Sequence, residues 1–172
     1  FLLGALSLVP LVYFLGRKKT CLSKAGKPFW IIGGLAGLVL FGGATLQQVG
    51  LLYTTAGKAG FITGLYLVIV PLIGFCLRQK IDKLTIAGAL IATYGLYLLS
   101  ITEGFNIGQG DTLVLIGAFF WAVHVQVVGY AAKYKLDALK LAILQYLICA
   151  GLNLVLALFL EEFSVQATLN AS

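Results

Sequence analysis

Six long apolar stretches alternate with short polar connections along this chain: residues 1–16, 29–53, 59–77, 84–101, 112–132 and 139–160. A helix rises 1.5 Å per residue, so about 20 apolar residues cross a hydrocarbon core of about 30 Å. The stretches meet or approach that length, the first being short. Strands of a membrane barrel would alternate polar and apolar residues over about ten positions. These runs are longer and uniformly apolar. The pattern therefore predicts an all-α membrane protein, a polytopic bundle with six transmembrane helices here. Short connections make sequential helices antiparallel neighbours.

The charges fall on alternate connections. Arg17, Lys18, Lys19, Lys24 and Lys27 precede the second stretch, Arg78, Lys80 and Lys83 separate the third and fourth, and Lys133, Lys135 and Lys140 separate the fifth and sixth. Lys58 alone falls elsewhere, whereas Glu103, Asp111, Glu161 and Glu162 occupy the opposite connections. Short loops rich in Lys and Arg stay on the cytoplasmic side. Residues 17–28, 78–83 and 133–140 are thus expected inside the cell, with 54–58, 102–111 and the tail after Glu161 outside.

Composition narrows the class further. Apolar residues make up 60% of the 172 and charged residues 10%, against about 25% charged in soluble domains; the mean hydropathy is +1.02. The net charge of +6 is confined to one side, which fits topology and anionic lipid headgroups better than nucleic acid. Cys21, Cys76 and Cys149 have no metal-ligand spacing and are expected to be structural. Methionine is absent even at position 1, and an N-terminus on the cytoplasmic side requires one more helix before Phe1. Both observations lead to the expectation of a piece of a longer chain.

Within the spans, polar residues are few. Gln47 and Gln48 sit on adjacent faces of the second helix. Thr63 and Tyr66, and likewise Trp121 and His124, are three apart and share a helix face. Each could line a cavity, or simply pack; Thr63 could instead bond its own helix backbone. His124 is the only ionisable group well inside a span. An ordinary imidazole pKa of about 6.5 suits proton transfer, and the alternative is a neutral ring bonded across a helix interface. Gln126, Gln145 and Asn153 read as interhelical bonds. Gly33 with Gly37, and Gly60 with Gly64, are small-residue pairs that let helices approach closely. Pro71 should kink the third helix. No carboxylate pair or histidine cluster occupies the spans and no phosphate loop follows a strand, so neither an enzyme, a metal nor a cofactor is expected.

Two segments carry a resemblance. The run Gln47-Gln48-Val49-Gly50-Leu51-Leu52-Tyr53-Thr54-Thr55-Ala56, continuing through Gly60, Thr63 and Tyr66 to Val70-Pro71, resembles the third and fourth helices of EamA-type transporters. Gly110-Asp111 followed by Phe120-Trp121-Ala122 resembles the opening of that family's second repeat. The family belongs to the drug/metabolite transporter superfamily. Its members are similar in having ten helices, as two five-helix repeats of inverted orientation around a central site. The resemblance implies that the six stretches are helices two to seven of a 5+5 inverted-repeat fold. Residues 1–103 would be most of the first repeat and 104–172 the start of the second.

Function follows from the same resemblance. It implies a transporter of small organic solutes or metabolites across the cell membrane, of the bacterial inner-membrane kind, working by alternating access. Gln47, Gln48, Thr63, Tyr66, Trp121 and His124 are the implied cavity residues. The lipid bilayer, the solute, a proton or ion gradient and a homodimeric second copy are the implied partners. One departure stands out: Gln79 occupies a place where the family often has glutamate. The competing class is a membrane scaffold or assembly subunit whose glycine-rich faces serve packing alone.

Overall fold

The structure, a computed structural model, describes residues 1–16, 26–100 and 108–160. Seven α-helices follow one another with no strand among the described residues: α1 (Leu2–Gly16), α2 (Lys27–Gly50), α3 (Ala56–Gly64), α4 (Tyr66–Cys76), α5 (Lys83–Ser100), α6 (Gln109–Lys133) and α7 (Ala138–Leu160). Four described spans are long and apolar enough to cross a membrane: Lys27–Gly50, Ala56–Cys76, Gln109–Lys133 and Ala138–Phe159; Leu2–Phe14 is a shorter apolar helix. Arg17, Lys18, Lys19, Cys21, Lys24, Glu103, Glu161, Glu162 and the division after residue 103 lie outside the described residues.

Large apolar side chains point outward along these helices. Leu3, Leu84, Phe75 and Phe159 are each at least three-quarters exposed. In water each would forgo about 1.5–3 kcal/mol of burial, whereas against lipid tails nothing is lost. The protein is a multi-pass membrane protein.

Helix α2 is the most enclosed element and packs chiefly on α6 and α7. Lipid supplies no hydrophobic drive between helices, so close backbone approach and hydrogen bonds hold them together. Toward α7, a Cβ on Gly33 would lie 2.4 Å from Leu144 and one on Gly37 2.8 Å from Ile148. Toward α6 the approach is between backbones. A Cβ on Gly110 would lie 2.7 Å from the Gly50 carbonyl oxygen, and one on Gly117 3.3 Å from that of Gly43. At the opposite end, Phe29 and Ile32 of α2 join Ala131 of α6 and Leu141 of α7 in one buried cluster. The α2–α6 pair is therefore antiparallel, with glycine at both ends of its tight segment.

The expected stretch 59–77 lies in one apolar span, Ala56–Cys76, in which a single tightened turn at Leu65 separates α3 from α4 while the backbone stays right-handed, with φ of −60° and ψ of −19°. Leu65 donates to the Ile62 carbonyl, three residues back, which is the tighter 3₁₀ spacing. Gly64 immediately before the turn weakens the helix there. Pro71 lies six residues further on, inside α4. A Cβ on Gly60 would meet open space, and Gly64 is buried; close packing at this pair does not extend to Gly60 among the described residues.

Helices α4 and α6 end alike. Arg78 donates to Phe75 and Gln79 to Gly74; Lys135 donates to Ala132 and Leu136 to Ala131. This is the paired closure in which the residue after the C-cap turns left-handed, and Arg78 and Lys135 have φ of 54° and 52°. A side chain in that conformation costs about 1 kcal/mol. Arg78→Gly is accordingly expected to raise stability by about 0.5 kcal/mol after glycine's extra entropy loss, measured by thermal unfolding in detergent.

Candidate functional site

Three candidate residues from three helices meet. The Trp121 indole Nε1 of α6 donates to Gln47 Oε1 of α2 at 3.0 Å, and Gln47 Nε2 donates to Thr63 Oγ1 of α3 at 3.1 Å. Both ends of one amide are thereby used, and the indole and hydroxyl are fixed relative to each other. Trp121 stands midway along α6, and Thr63 lies two residues before the tightened turn at Leu65. All three are half-buried. The cluster is neutral, which suits a depth where an unpaired charge is expensive.

His124 continues this arrangement toward α7. Its ring meets Trp121 edge-on, centroids 6.1 Å apart, and its Nε2 is 2.8 Å from Oε1 of Gln145. Gln145 is buried, at 8% exposure. Since an amide oxygen only accepts, Nε2 is the donor and carries hydrogen in this geometry. Gln48 and Tyr66 stand apart: Gln48 is exposed, Tyr66 half-buried beyond the Leu65 turn. Among the described residues no hydrogen bond joins either to the cluster. A groove of about 210 Å³ lies elsewhere, between α4 and α5, and no cluster residue lines it.

Two further polar contacts frame the site. Gln126 Nε2 donates to the Val70 carbonyl at 2.8 Å, while Gln79 Nε2 donates to Gln126 Oε1 at 2.9 Å. The glutamine at position 79 thus ties the end of α4 to α6 with amides rather than charge. At the other end Asp111, 6% exposed, accepts from the Thr54 hydroxyl and, at 2.9 Å, from the Gly108 backbone N–H. It lies in the first turn of α6, not in the preceding loop where charge patterning put it. A carboxylate there satisfies an end N–H and complements the helix dipole. Asp111→Leu is expected to cost about 2 kcal/mol by removing both interactions, measured as a fall in unfolding midpoint; Asp111→Asn should cost about half.

Sequence reasoning missed Gly43, Gly50, Gly110 and Gly117 as the α2–α6 seam. The signal is glycines seven apart on each of two helices, a spacing that small-residue pairs four apart do not include. Gln126 is an interhelical amide as the sequence leads one to expect, its partners being the Val70 carbonyl and Gln79, far along the chain. Asn153, another such amide, bonds Cys149 of its own helix at 2.9 Å and takes a longer 3.4 Å contact from Thr45 of α2.

The two segments that carry the resemblance touch here. Thr54 bonds Asp111, and a Cβ on Gly110 would lie 2.6 Å from the Tyr53 carbonyl carbon. The EamA-like transporter family matches residues 1–101. The chain belongs to that family. It is 41% identical over 98 residues to an uncharacterized transporter of Archaeoglobus fulgidus, an alignment covering 56% of this chain and 31% of that protein. The chain thus matches about a third of its curated relative's length. No solved structure matches it.

Proposed function

We propose that this EamA-like chain moves a small organic solute across the cytoplasmic membrane by alternating access, with Gln47, Thr63 and Trp121 forming one wall of the solute path. The hydrogen-bonded trio, drawn from three helices within the apolar spans, supports this reading, since polar side chains in such spans commonly mark substrate paths. Trp121 offers a flat apolar face, and the Thr63 hydroxyl remains able to donate. That combination suits a neutral or zwitterionic solute with an apolar part better than a multiply charged one.

His124, Gln48 and Tyr66 are proposed as neighbouring contributors. Coupling to a proton or ion gradient is part of the proposal, with His124 the residue to test. In this reading the turns at 78–83 and 133–140, and the segment 17–28, face the cytoplasm of a bacterial-type inner membrane. The first five-helix repeat would extend through residue 103 and the second would begin at 104, with a homodimer as the assembly to test. Uptake by proteoliposomes of the intact protein, with and without a pH gradient, tests the proposal against a solute panel. Saturable uptake of one solute class is expected. Across a broad panel, uptake no faster than in empty vesicles would leave the scaffold reading in its place.

A further inference from the structure

We propose that the groove between α4 and α5 is a binding site for an anionic phospholipid, one acyl chain lying in the groove and the phosphate against the cationic turn at its mouth. The groove encloses about 210 Å³, and every residue lining it is apolar, including Pro71, Leu72 and Phe75 of α4 and Ile86 and Leu90 of α5. Solute pockets run about 300–1,000 Å³ and carry a few convergent polar groups. This one is smaller and has none. Its chemistry fits a hydrocarbon chain.

The mouth identifies which kind of chain-bearing molecule fits. Ile81 lines the groove and belongs to the turn between the two helices. In that turn and the first position of α5, Arg78, Lys80 and Lys83 oppose a single carboxylate, Asp82. Arg78, Lys80, Asp82 and Lys83 are all exposed. An apolar slot whose lining includes Ile81, from the same short turn as these cations, matches an acyl chain joined to a phosphate. A zwitterionic lipid would satisfy the slot and gain much less at the mouth. Basic residues beside a membrane each strengthen attachment to anionic headgroups by about fivefold.

Native mass spectrometry of the intact protein, released from detergent after incubation with equal phosphatidylglycerol and phosphatidylcholine of identical chains, tests this. Phosphatidylglycerol is expected to be retained at least about fivefold more. Combined Arg78→Asn, Lys80→Gln and Lys83→Gln, all on exposed positions, should abolish the preference while leaving the unfolding midpoint nearly unchanged. Neutralising Lys133, Lys135 and Lys140, at a second cationic turn, should leave it intact; equal loss from either turn would mean unspecific attraction and overturn the site. Ala89→Trp fills the groove and should reduce retention of both lipids. Should that variant misfold, Ile86→Ser makes the slot polar with less change in volume and carries the same expectation. Retention unaffected by a filled or polar groove contradicts the proposal. So does displacement of the lipid by a hundredfold excess of glycerol phosphate, which has the headgroup charge and no chain.

Discussion

Gly110→Ala is expected to destabilise the bundle by at least about 3 kcal/mol, the upper part of the range for overpacked sites. The added methyl would sit 2.6 Å from the Tyr53 carbonyl carbon and 2.7 Å from the carbonyl oxygens of Gly50 and Tyr53. Those are backbone atoms, and no rotamer change removes them. Relief requires α2 and α6 to separate at the end where Thr54 bonds Asp111. The same methyl on Gly42 would meet the Phe120 ring at 2.6 Å, and a ring can turn, so a smaller loss is expected. Gly60→Ala meets open space and should stabilise α3 by up to about 1 kcal/mol through helix propensity. Thermal unfolding of the three variants in one detergent ranks them. Equal midpoints would show that the glycine seam does not set the α2–α6 distance.

The second large effect is expected on transport rather than on stability. Gln47→Leu keeps the volume and removes both hydrogen bonds, leaving the Trp121 N–H and the Thr63 hydroxyl without that partner. Side-chain hydrogen bonds between membrane helices average about 0.6 kcal/mol each, so the fold should lose only about 1 kcal/mol. Uptake should fall at least tenfold, since the indole and hydroxyl would no longer hold one geometry. Gln47→Asn shortens the link by one methylene and cannot reach both partners at once. An intermediate uptake is expected from it. Normal uptake by a stable Gln47→Leu protein would make the trio a packing device.

Much of this was legible in the sequence because a bilayer imposes few solutions. Apolar runs of the right length must be helices, and loops with Lys133, Lys135 and Lys140 or with Arg78, Lys80 and Lys83 share a side. Gln47, Thr63 and Trp121 could be chosen from sequence because polar side chains at such depth are rare. What could not be read was pairing. Gln47 and Trp121 are brought together by the α2–α6 crossing, whose register depends on Gly43, Gly50, Gly110 and Gly117 over distant segments. The tightened turn at Leu65 could not be read either. Pro71 is the conspicuous helix breaker, and nothing in the residue types marks the further tightening beside Gly64. Asp111 looked like a loop residue by charge alone, and its burial follows only once Thr54 is seen opposite it.

The central claim is that Gln47, Thr63 and Trp121 border a path opening alternately to the two sides of the membrane. Accessibility of a cysteine at position 63 to a membrane-impermeant thiol reagent, with Cys21, Cys76 and Cys149 changed to serine, tests it most directly. Modification from either side of oriented vesicles is expected, slowed by the transported solute. Modification from neither side, in a folded protein that still takes up solute, would contradict it.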